Sequence, residues 1–233
     1  MINNMKIICV ILARGGSKEL ENKNIFPIHN KPLIRYTIDH CISSKYIDDI
    51  YVSTDNLNIK KEVEKYSQCH LINRPKYLSG DLVSSEKCIL HAIKNVNKKY
   101  EVIVFPQNTH PIRRRGLVDT CLETMSFNNN DSLLTVRQFS PFFLHLNSSG
   151  KVFFNNRTKI INRKMRQQFT KEDLFYYDVG NMYVITTMSF LKRKDRIGYN
   201  PYMFVVQDKE CIDIHNIHDI EMTEFLLKGD KNV

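Results

Sequence analysis

Six consecutive apolar residues, Ile7-Ile8-Cys9-Val10-Ile11-Leu12, run straight into Ala13-Arg14-Gly15-Gly16-Ser17-Lys18. An extended segment with no polar residue on either face needs cover on both, which is the situation of a central strand in a parallel sheet. The two glycines of the turn let backbone N–H groups approach an anion closely, while Arg14, Ser17 and Lys18 bring charge and donors to the same place. Lys23-Asn24 follow soon enough to fold over the same ligand. The turn is not a Walker A loop, because GxxxxGK[ST] is absent, and it lacks the third glycine of GxGxxG. A bare Gly-Gly turn would read as a basic surface turn; the added cations directly after a buried strand favour an anion site.

The rest of the chain alternates strand and helix patterns. A helical pattern starts at Lys31-Pro32, with Leu33, Ile34, Ile38, Cys41 and Ile42 on one side and Pro32 in the first turn. Strands are expected at Ile47–Thr54, His70–Ile72, Val102–Phe105, Ser132–Val136 and Met182–Ile185. Helices are expected at Ile59–Tyr66, Ser84–Val96, Leu117–Met125 and Ile217–Leu227. This rhythm predicts a single α/β domain over residues 1–233 with a doubly wound, mainly parallel sheet. It breaks between Gln138 and Asp178, a stretch too long for idle loop that reads as a functional or oligomer-contact insertion. In such sheets ligands bind at the carboxyl ends of the strands, so Arg14 to Lys18, Ser53 to Asp55, Gln107 to Arg113 and the Asp213 region carry the candidate chemistry. Asp55 is expected to cap the following helix.

Charge and cysteine content bound the partners. The 233 residues include 34 Lys and Arg against 25 Asp and Glu, a formal net charge of +9 that attracts polyanions, nucleic acid and nucleoside triphosphate alike. No RNP, KH or helix-turn-helix signature supports a nucleic-acid module. The six cysteines form no CxxC pair and read as small buried side chains rather than a disulfide or zinc framework. No apolar run is long enough to span a membrane and the start lacks signal-peptide character, so the cytoplasm is the expected compartment.

The stretch Leu12 to Lys18, with Asn22-Lys23-Asn24-Ile25 and Asn30-Lys31-Pro32-Leu33-Ile34, resembles the opening of the CMP-sialic acid synthetases, a family that includes the enzymes activating legionaminic and pseudaminic acids. The likeness continues through Val52-Ser53-Thr54-Asp55, Asn73-Arg74-Pro75 and Leu78-Ser79-Gly80-Asp81. Gln107-Asn108-Thr109-His110-Pro111-Ile112-Arg113 is similar to the family's Q-P-T-S-P-L-R segment, and Arg166-Gln167 to its R-Q pair. Gly180-Asn181-Met182-Tyr183 is similar to its N-G-A-x-Y turn, and Ile212 to Glu224 to its closing I-D-I-D-T-x-x-D pattern. The resemblance implies transfer of CMP from CTP to the anomeric hydroxyl of a nine-carbon acidic sugar, with release of pyrophosphate. It implies that Arg14, Gly15, Gly16, Ser17 and Lys18 cradle the phosphates, that Lys23 neutralises the reacting phosphate and that Asn24 contacts the nucleotide. Arg74, Asp81 and Ser84 would shape the cytosine and ribose pocket. Gln107, Thr109, Arg166, Gln167 and Tyr183 would face the sugar, and Asp213 would hold Mg²⁺. A homodimer through residues 138–178 is implied as well.

The departures fall on the acceptor side. Asn108 and His110 stand where the family has proline and serine, and His215 where it has a second aspartate. His215 then reads in three ways: a metal neighbour, a base for the sugar hydroxyl, or a surface or helix-capping residue. His218 makes an HxxH pair without further ligands, which is weak as a metal signal. The Phe-rich run Phe139-Ser140-Pro141-Phe142-Phe143 with Phe153-Phe154 reads as an interface more than a base-stacking surface. Two rivals remain from the sequence. One is an eight-carbon (Kdo) cytidylyltransferase, whose A-R-x-x-S-x-R-L-P-x-K opening fits Gly15 to Lys18 less well. The other is a non-catalytic nucleotide- or nucleic-acid-binding α/β module.

Overall fold

The computed structural model describes residues 2–139, 144–146, 148–149, 152–154, 165–168, 170 and 174–229. In chain order the elements are β1 (Ile7–Leu12), β2 (Pro27–Ile28), β3 (Lys31–Pro32), α1 (Leu33–Ile42), β4 (Asp49–Thr54), α2 (Leu57–Val63), β5 (Cys69–Asn73), α3 (Ser85–Lys94) and β6 (Val102–Pro106). They continue with α4 (Leu117–Phe127), β7 (Ser132–Phe139), β8 (Leu144–Leu146), β9 (Val152–Phe154), β10 (Phe175–Thr186), α5 (Thr187–Arg193), β11 (Pro201–Val205) and α6 (Ile217–Lys228). Seven strands form one sheet in the order β11-β7-β10-β6-β1-β4-β5. All its neighbours pair in parallel except where β10 runs antiparallel between β6 and β7.

The strand pattern read from β1 explains the layering. Ile7, Cys9 and Ile11 point into a core shared with Ile34 and Ile38 of α1, Val63 of α2 and Leu122 of α4. Ile8 and Val10 point the other way, into a core with Ile89 of α3 and Phe190 of α5. Every one of these side chains is buried. Both faces of β1 are therefore covered, as an all-apolar strand requires, and the doubly wound expectation holds. Truncating one of these core isoleucines to alanine would cost about 2–5 kcal/mol. Cys9, Cys41, Cys88 and Cys121 are buried, in keeping with their place in apolar runs.

Several expectations need correction. Pro32 is not in the first turn of α1: it ends β3 and serves as the residue before the helix, which begins at Leu33. β2 and β3 form a two-residue hairpin whose loop residues, His29 and Asn30, both have positive φ, 46° and 62°. That is the primed turn that a right-handed twist favours. The expected strand at Met182–Ile185 is the end of a twelve-residue antiparallel strand. Its register shifts between Asp178 and Tyr183, around Gly180 with φ 81°. The bulge breaks the two-residue period that would have revealed the strand. Neither α5 nor the edge strand β11 was expected. Phe139 lies in β7 with its ring near Phe175 and Tyr177 of β10, whereas 140–143 lie outside the described residues. Among the described residues no helix is long and apolar enough to cross a membrane.

A partly buried base on α1 ties this fold to pH. Burial, helped by the nearby Arg113 guanidinium, pushes His40 on α1 down to about 3. An unfolded imidazole titrates near ~6.5, so the unfolded chain takes up a proton there that the folded chain refuses. The contribution is intact above that pH and is lost as pH falls towards the folded value. The midpoint of thermal unfolding should therefore drop between pH 7 and 4.5. In His40→Gln the drop should be shallower, and an unchanged slope would remove His40 as a cause.

Candidate functional site

The order of the sheet reverses at β1: β4 and β5 extend to one side of it, β6 to the other. At the carboxyl ends of β1 and β6 lies a cavity of about 310 Å³. Its donor-side wall is made by Arg14, Ser17, Lys23 and Asn24, its acceptor-side wall by Gln107, Asn108 and Thr109, and its floor includes Leu12 and Phe105. Gly80, Asp81, Val83 and Ser85 close a further side. The topological switch point thus gathers the turn after β1 and the segment after β6, two of the four strand ends singled out from the sequence.

The turn after β1 is held from outside. The backbone N–H of Gly15 donates to Asp55 Oδ1 at 2.9 Å, so Asp55 does not cap α2 as expected. Asn56 is the cap, its Oδ1 accepting from the N–H groups of Asn58 and Ile59 at 2.8 and 3.1 Å. On the inner side Asn24 Nδ2 donates to the Arg14 carbonyl at 2.8 Å. The side chains of Arg14 and Lys18 both reach Asp81, at 2.7 and 2.6 Å. The hydrogen bond from Lys18, then that from Arg14, holds the Asp81 carboxyl below its ordinary range. Asp81 is thus a counter-ion to the cations of the turn. Arg74 is 7% exposed and is not among the residues lining the cavity. Its guanidinium donates to Ser53 Oγ and the Ser53 carbonyl at 3.1 and 2.6 Å, fixing the end of β4. Ser84 precedes α3 without a side-chain cap, and its neighbour Ser85 lines the cavity instead.

The acceptor-side wall is assembled from distant parts of the chain. Arg113, 2% exposed, donates to the carbonyls of Gln107 and Asn181 at 2.6 and 3.2 Å and to Thr37 Oγ1 at 3.1 Å. A Cβ on Gly180 would stand 3.2 Å from Gln107 Oε1, and the positive φ there already excludes most other residues. Tyr183 is buried and donates to Asp178 Oδ2 at 2.7 Å, with its ring stacked on Phe105 at 5.8 Å. It therefore supports the floor of the cavity from behind. Arg166 and Gln167 lie in a short 3-10 turn, where Gln167 is exposed; the Arg166 side chain lies outside the described residues.

The Asp213 segment docks through its backbone. The N–H of Ile214 donates to the Thr109 carbonyl at 2.9 Å, and Lys23 Nζ donates to the Ile214 carbonyl at 2.8 Å. His215 Nε2 lies 3.1 Å from Asp213 Oδ2 and its Nδ1 3.3 Å from Glu19 Oε2. The ring does not cap α6, because Asn216 does so, with Asp219 reaching back to the N–H groups of His215 and Asn216. His218 pairs with Glu221 and is well exposed. His110 is fully buried, and burial pushes it down to about 4 against the opposing pull of Asp213, 3.9 Å away. Asn108 Oδ1, His110 Nε2, Arg113 Nε, Asn181 Oδ1 and Asp213 Oδ1 are buried without a hydrogen-bond partner among the described residues. Five of the nine such atoms among the described residues thus lie on or behind this side. Neither Asn108 nor Asn181 was singled out as a site residue; the signal for Asn108 was its departure from proline.

Asp213 Oδ1 gives a test of the implied Mg²⁺. It is an unpartnered carboxylate oxygen, the hard donor that Mg²⁺ prefers, while His215 keeps the other oxygen in place. No group of three or more His, Cys, Asp or Glu suited to a metal occurs among the described residues. The fit is therefore to an ion held by one carboxylate and completed by substrate phosphates.

The two glycines of the turn differ sharply. A Cβ on Gly15 would fall 2.5 Å from Asn56 Nδ2 and 2.8 Å from Asn56 Cβ, and Asn56 cannot retreat without abandoning α2. A Cβ on Gly16 meets nothing within 4 Å. Gly15→Ala should weaken CTP binding about tenfold or more and destabilise the fold by about 1–3 kcal/mol. Gly16→Ala should stay within about 1 kcal/mol of wild type. Calorimetric titration and thermal unfolding of the pair measure both effects, and equal behaviour would contradict this geometry.

A family model described as cytidylyltransferase matches residues 8–232. The chain is 29% identical to the pseudaminic acid cytidylyltransferase of Campylobacter jejuni over 96% of its own length and 97% of that protein. It is 27% identical to the N-acylneuraminate cytidylyltransferase of Escherichia coli, over 93% of this chain and 51% of that one. Among solved structures, a CMP:2-keto-3-deoxy-manno-octonic acid synthetase complexed with CTP shares the fold with a TM-score of 0.68 at 15% identity, covering 96% of this chain and 98% of that one. The 4-diphosphocytidyl-2C-methyl-D-erythritol synthase of Anaerococcus prevotii does so at 0.72 and 15% identity, covering 97% and 98%. With a switch-point cavity walled by a glycine-containing basic turn, and a family match that runs almost from end to end, the chain belongs to the cytidylyltransferase family and is a nucleotidyltransferase.

Proposed function

We propose that this enzyme transfers CMP from CTP to the anomeric hydroxyl of a nine-carbon 2-keto-3-deoxy acidic sugar, releasing pyrophosphate. The observation that carries the reading is the single cavity shared by the turn after β1 and the segment after β6. It brings the cations of the turn and the amides and hydroxyls of the later segment to one cavity, where Asn24 and Asn108 meet. Pseudaminic acid is the first candidate substrate, because the relatives of that name match along almost the whole of both chains.

The chemistry suits the residues. The sugar oxygen forms a bond to the α-phosphorus as the bond to the β-phosphate bridge breaks, and pyrophosphate leaves in line. Charge on the phosphoryl oxygens is met by Arg14, Ser17, Lys18 and the backbone N–H of Gly16; the expected Gly15 N–H is already taken by Asp55, so Gly15 serves the turn by its lack of a side chain. Lys23, which lines the cavity beside Asn24, serves the α-phosphate. Gln107 and Thr109 orient the sugar, with the Arg166-Gln167 turn as the second acceptor contact. Asp213 would hold Mg²⁺, which when bound adds positive charge at the phosphates and makes the sugar hydroxyl more acidic. Neither Asp213 nor His215 is among the residues lining the cavity, and His215 has a carboxylate against each ring nitrogen. Such a ring suits the positioning of Asp213 better than proton abstraction. The proposal extends to a homodimer that uses residues 138–178, and to a cytoplasmic enzyme.

Two measurements test the reading. Pyrophosphate release should be seen with CTP, Mg²⁺ and one nine-carbon acid among pseudaminic, legionaminic and N-acetylneuraminic acids, and should be far weaker with the eight-carbon Kdo. Turnover of Kdo alone would replace the acceptor assignment, and CTP binding without turnover of any acid would point to a non-catalytic nucleotide binder. Asp213→Ala should lower kcat about 100-fold and raise the Mg²⁺ concentration needed for half-maximal rate. An unchanged Mg²⁺ titration would take Asp213 out of the metal site.

A further inference from the structure

We infer that Asn108 is a positioning residue that ties the acceptor-side loop to the phosphate turn through a two-step relay of side-chain amides. This rests on the reading of the cavity as a CTP site. Asn108 is 4% exposed and lines the cavity. Its Nδ2 donates to Asn24 Oδ1 at 2.6 Å, and Asn24 Nδ2 donates to the Arg14 carbonyl at 2.8 Å. The direction of the relay is fixed at its far end. A backbone carbonyl only accepts, so Asn24 must present its NH₂ to Arg14 and its oxygen to Asn108, and Asn108 must present its NH₂ to Asn24. A residue that fills the volume of Asn108 but cannot donate would leave Asn24 Oδ1 unmatched in a buried place.

The two ends of the relay differ in firmness. Asn108 projects from a backbone held by Arg113 through the Gln107 carbonyl, and by the Gln107 N–H donating to the Asn181 carbonyl at 3.2 Å. The turn it reaches is tied on its outer side by Asp55 at Gly15 and on its inner side by Asn24. Asn108 thus transmits the rigid acceptor wall to the backbone of Arg14, whose side chain is the first cation of the donor wall. Proline, the residue of the resembled Q-P-T segment, has no side-chain amide to offer to such a relay. The relay lets the acceptor loop set the place of the phosphate turn before either substrate is joined.

The test is a double-mutant cycle on CTP affinity, measured by calorimetric titration with CTP and Mg²⁺ in the absence of any sugar. Thermal unfolding would be recorded for each protein. Asn108→Ala and Asn108→Leu should each weaken CTP binding about fivefold, and Asn24→Ala should do so at least as much. In one relay the Asn24→Ala/Asn108→Ala protein binds no more weakly than Asn24→Ala alone. Recovery of wild-type affinity in Asn108→Leu would show that packing suffices, and multiplied effects in the double variant would show two independent contacts; either overturns the relay while leaving the CTP site intact. Wild-type protein that binds no CTP overturns the reading of the cavity and the relay with it.

Discussion

The guanidinium of Arg113 joins three elements that nothing local in the sequence would bring together. Shut away from water, it donates to Thr37 on α1, to the carbonyl of Gln107 after β6 and to the carbonyl of Asn181 in the bulge of β10. Burial lowers its affinity for the proton to about 10, which leaves it charged at neutral pH. Its direct partners are neutral, so its charge is solvated by oriented dipoles, and hydrogen bonds of this kind contribute about 1.5–3 kcal/mol each. Lysine would supply a point charge without the planar fork that reaches two carbonyls and a hydroxyl together. The acceptor-side wall, the bulge that admits Gly180 and the base from which Asn108 projects all follow from this one buried charge.

The two walls of the cavity therefore have different origins. On the phosphate side, the ligand groups lie within one short turn, and the outside support from Asp55 and Asn56 comes from the next strand end along the sheet. On the acceptor side, Gln107, Asn181, Arg113 and the Asp213 segment converge from far apart in the chain. Five of the nine buried polar atoms without hydrogen-bond partners among the described residues lie on or behind that second wall, and one of them, Asn108 Oδ1, belongs to a residue that lines the cavity. A family that keeps one nucleotide and varies its acid can change the second wall one side chain at a time while leaving the first alone. Of the departures at 108, 110 and 215, Asn108 lines that wall, His110 is buried, and His215 stands outside the lining beside Asp213.

What was legible in the sequence follows the same line. The all-apolar β1, the glycine turn and the helical stripes of α1, α3 and α4 are local patterns, and each is close to its expected place. β11 was not legible because it is an edge strand whose alternate residues, Met203 and Val205, are apolar yet half exposed, which erases the usual alternation. Most of β10 was hidden by its bulge, and the hairpin at His29-Asn30 by the lack of the Asn-Gly pair that usually marks such a turn. A carboxylate at a strand end can cap a helix or receive a neighbouring strand's turn, and for Asp55 only the placement of β4 beside β1 decides between them. Asn24 was marked for its motif, but its partner Asn108 lies 84 residues away and has no local signature.

Asp81 completes the electrostatic argument for the donor wall. Two cations held close in a narrow turn repel each other and would otherwise spread into solvent; a shared carboxylate holds Lys18 beside Arg14, which lines the cavity. The Lys18 end is well exposed and the Arg14–Asp81 pair partly so, and exposed pairs are weakly held because water and salt screen them. A triphosphate offers several anionic oxygens in place of one carboxylate, along with the backbone N–H groups that Asp81 does not engage. On the proposed assignment of these cations to the CTP phosphates the exchange would favour the nucleotide, because a partly exposed ion pair costs little to release. The loop of Gly80 to Val83 lines the cavity at that point, with Leu82 fully exposed and free of packing that would resist its movement. An internal anion of this kind pre-arranges the cations of the turn without competing seriously for them, so that their order does not have to be created at the expense of nucleotide binding.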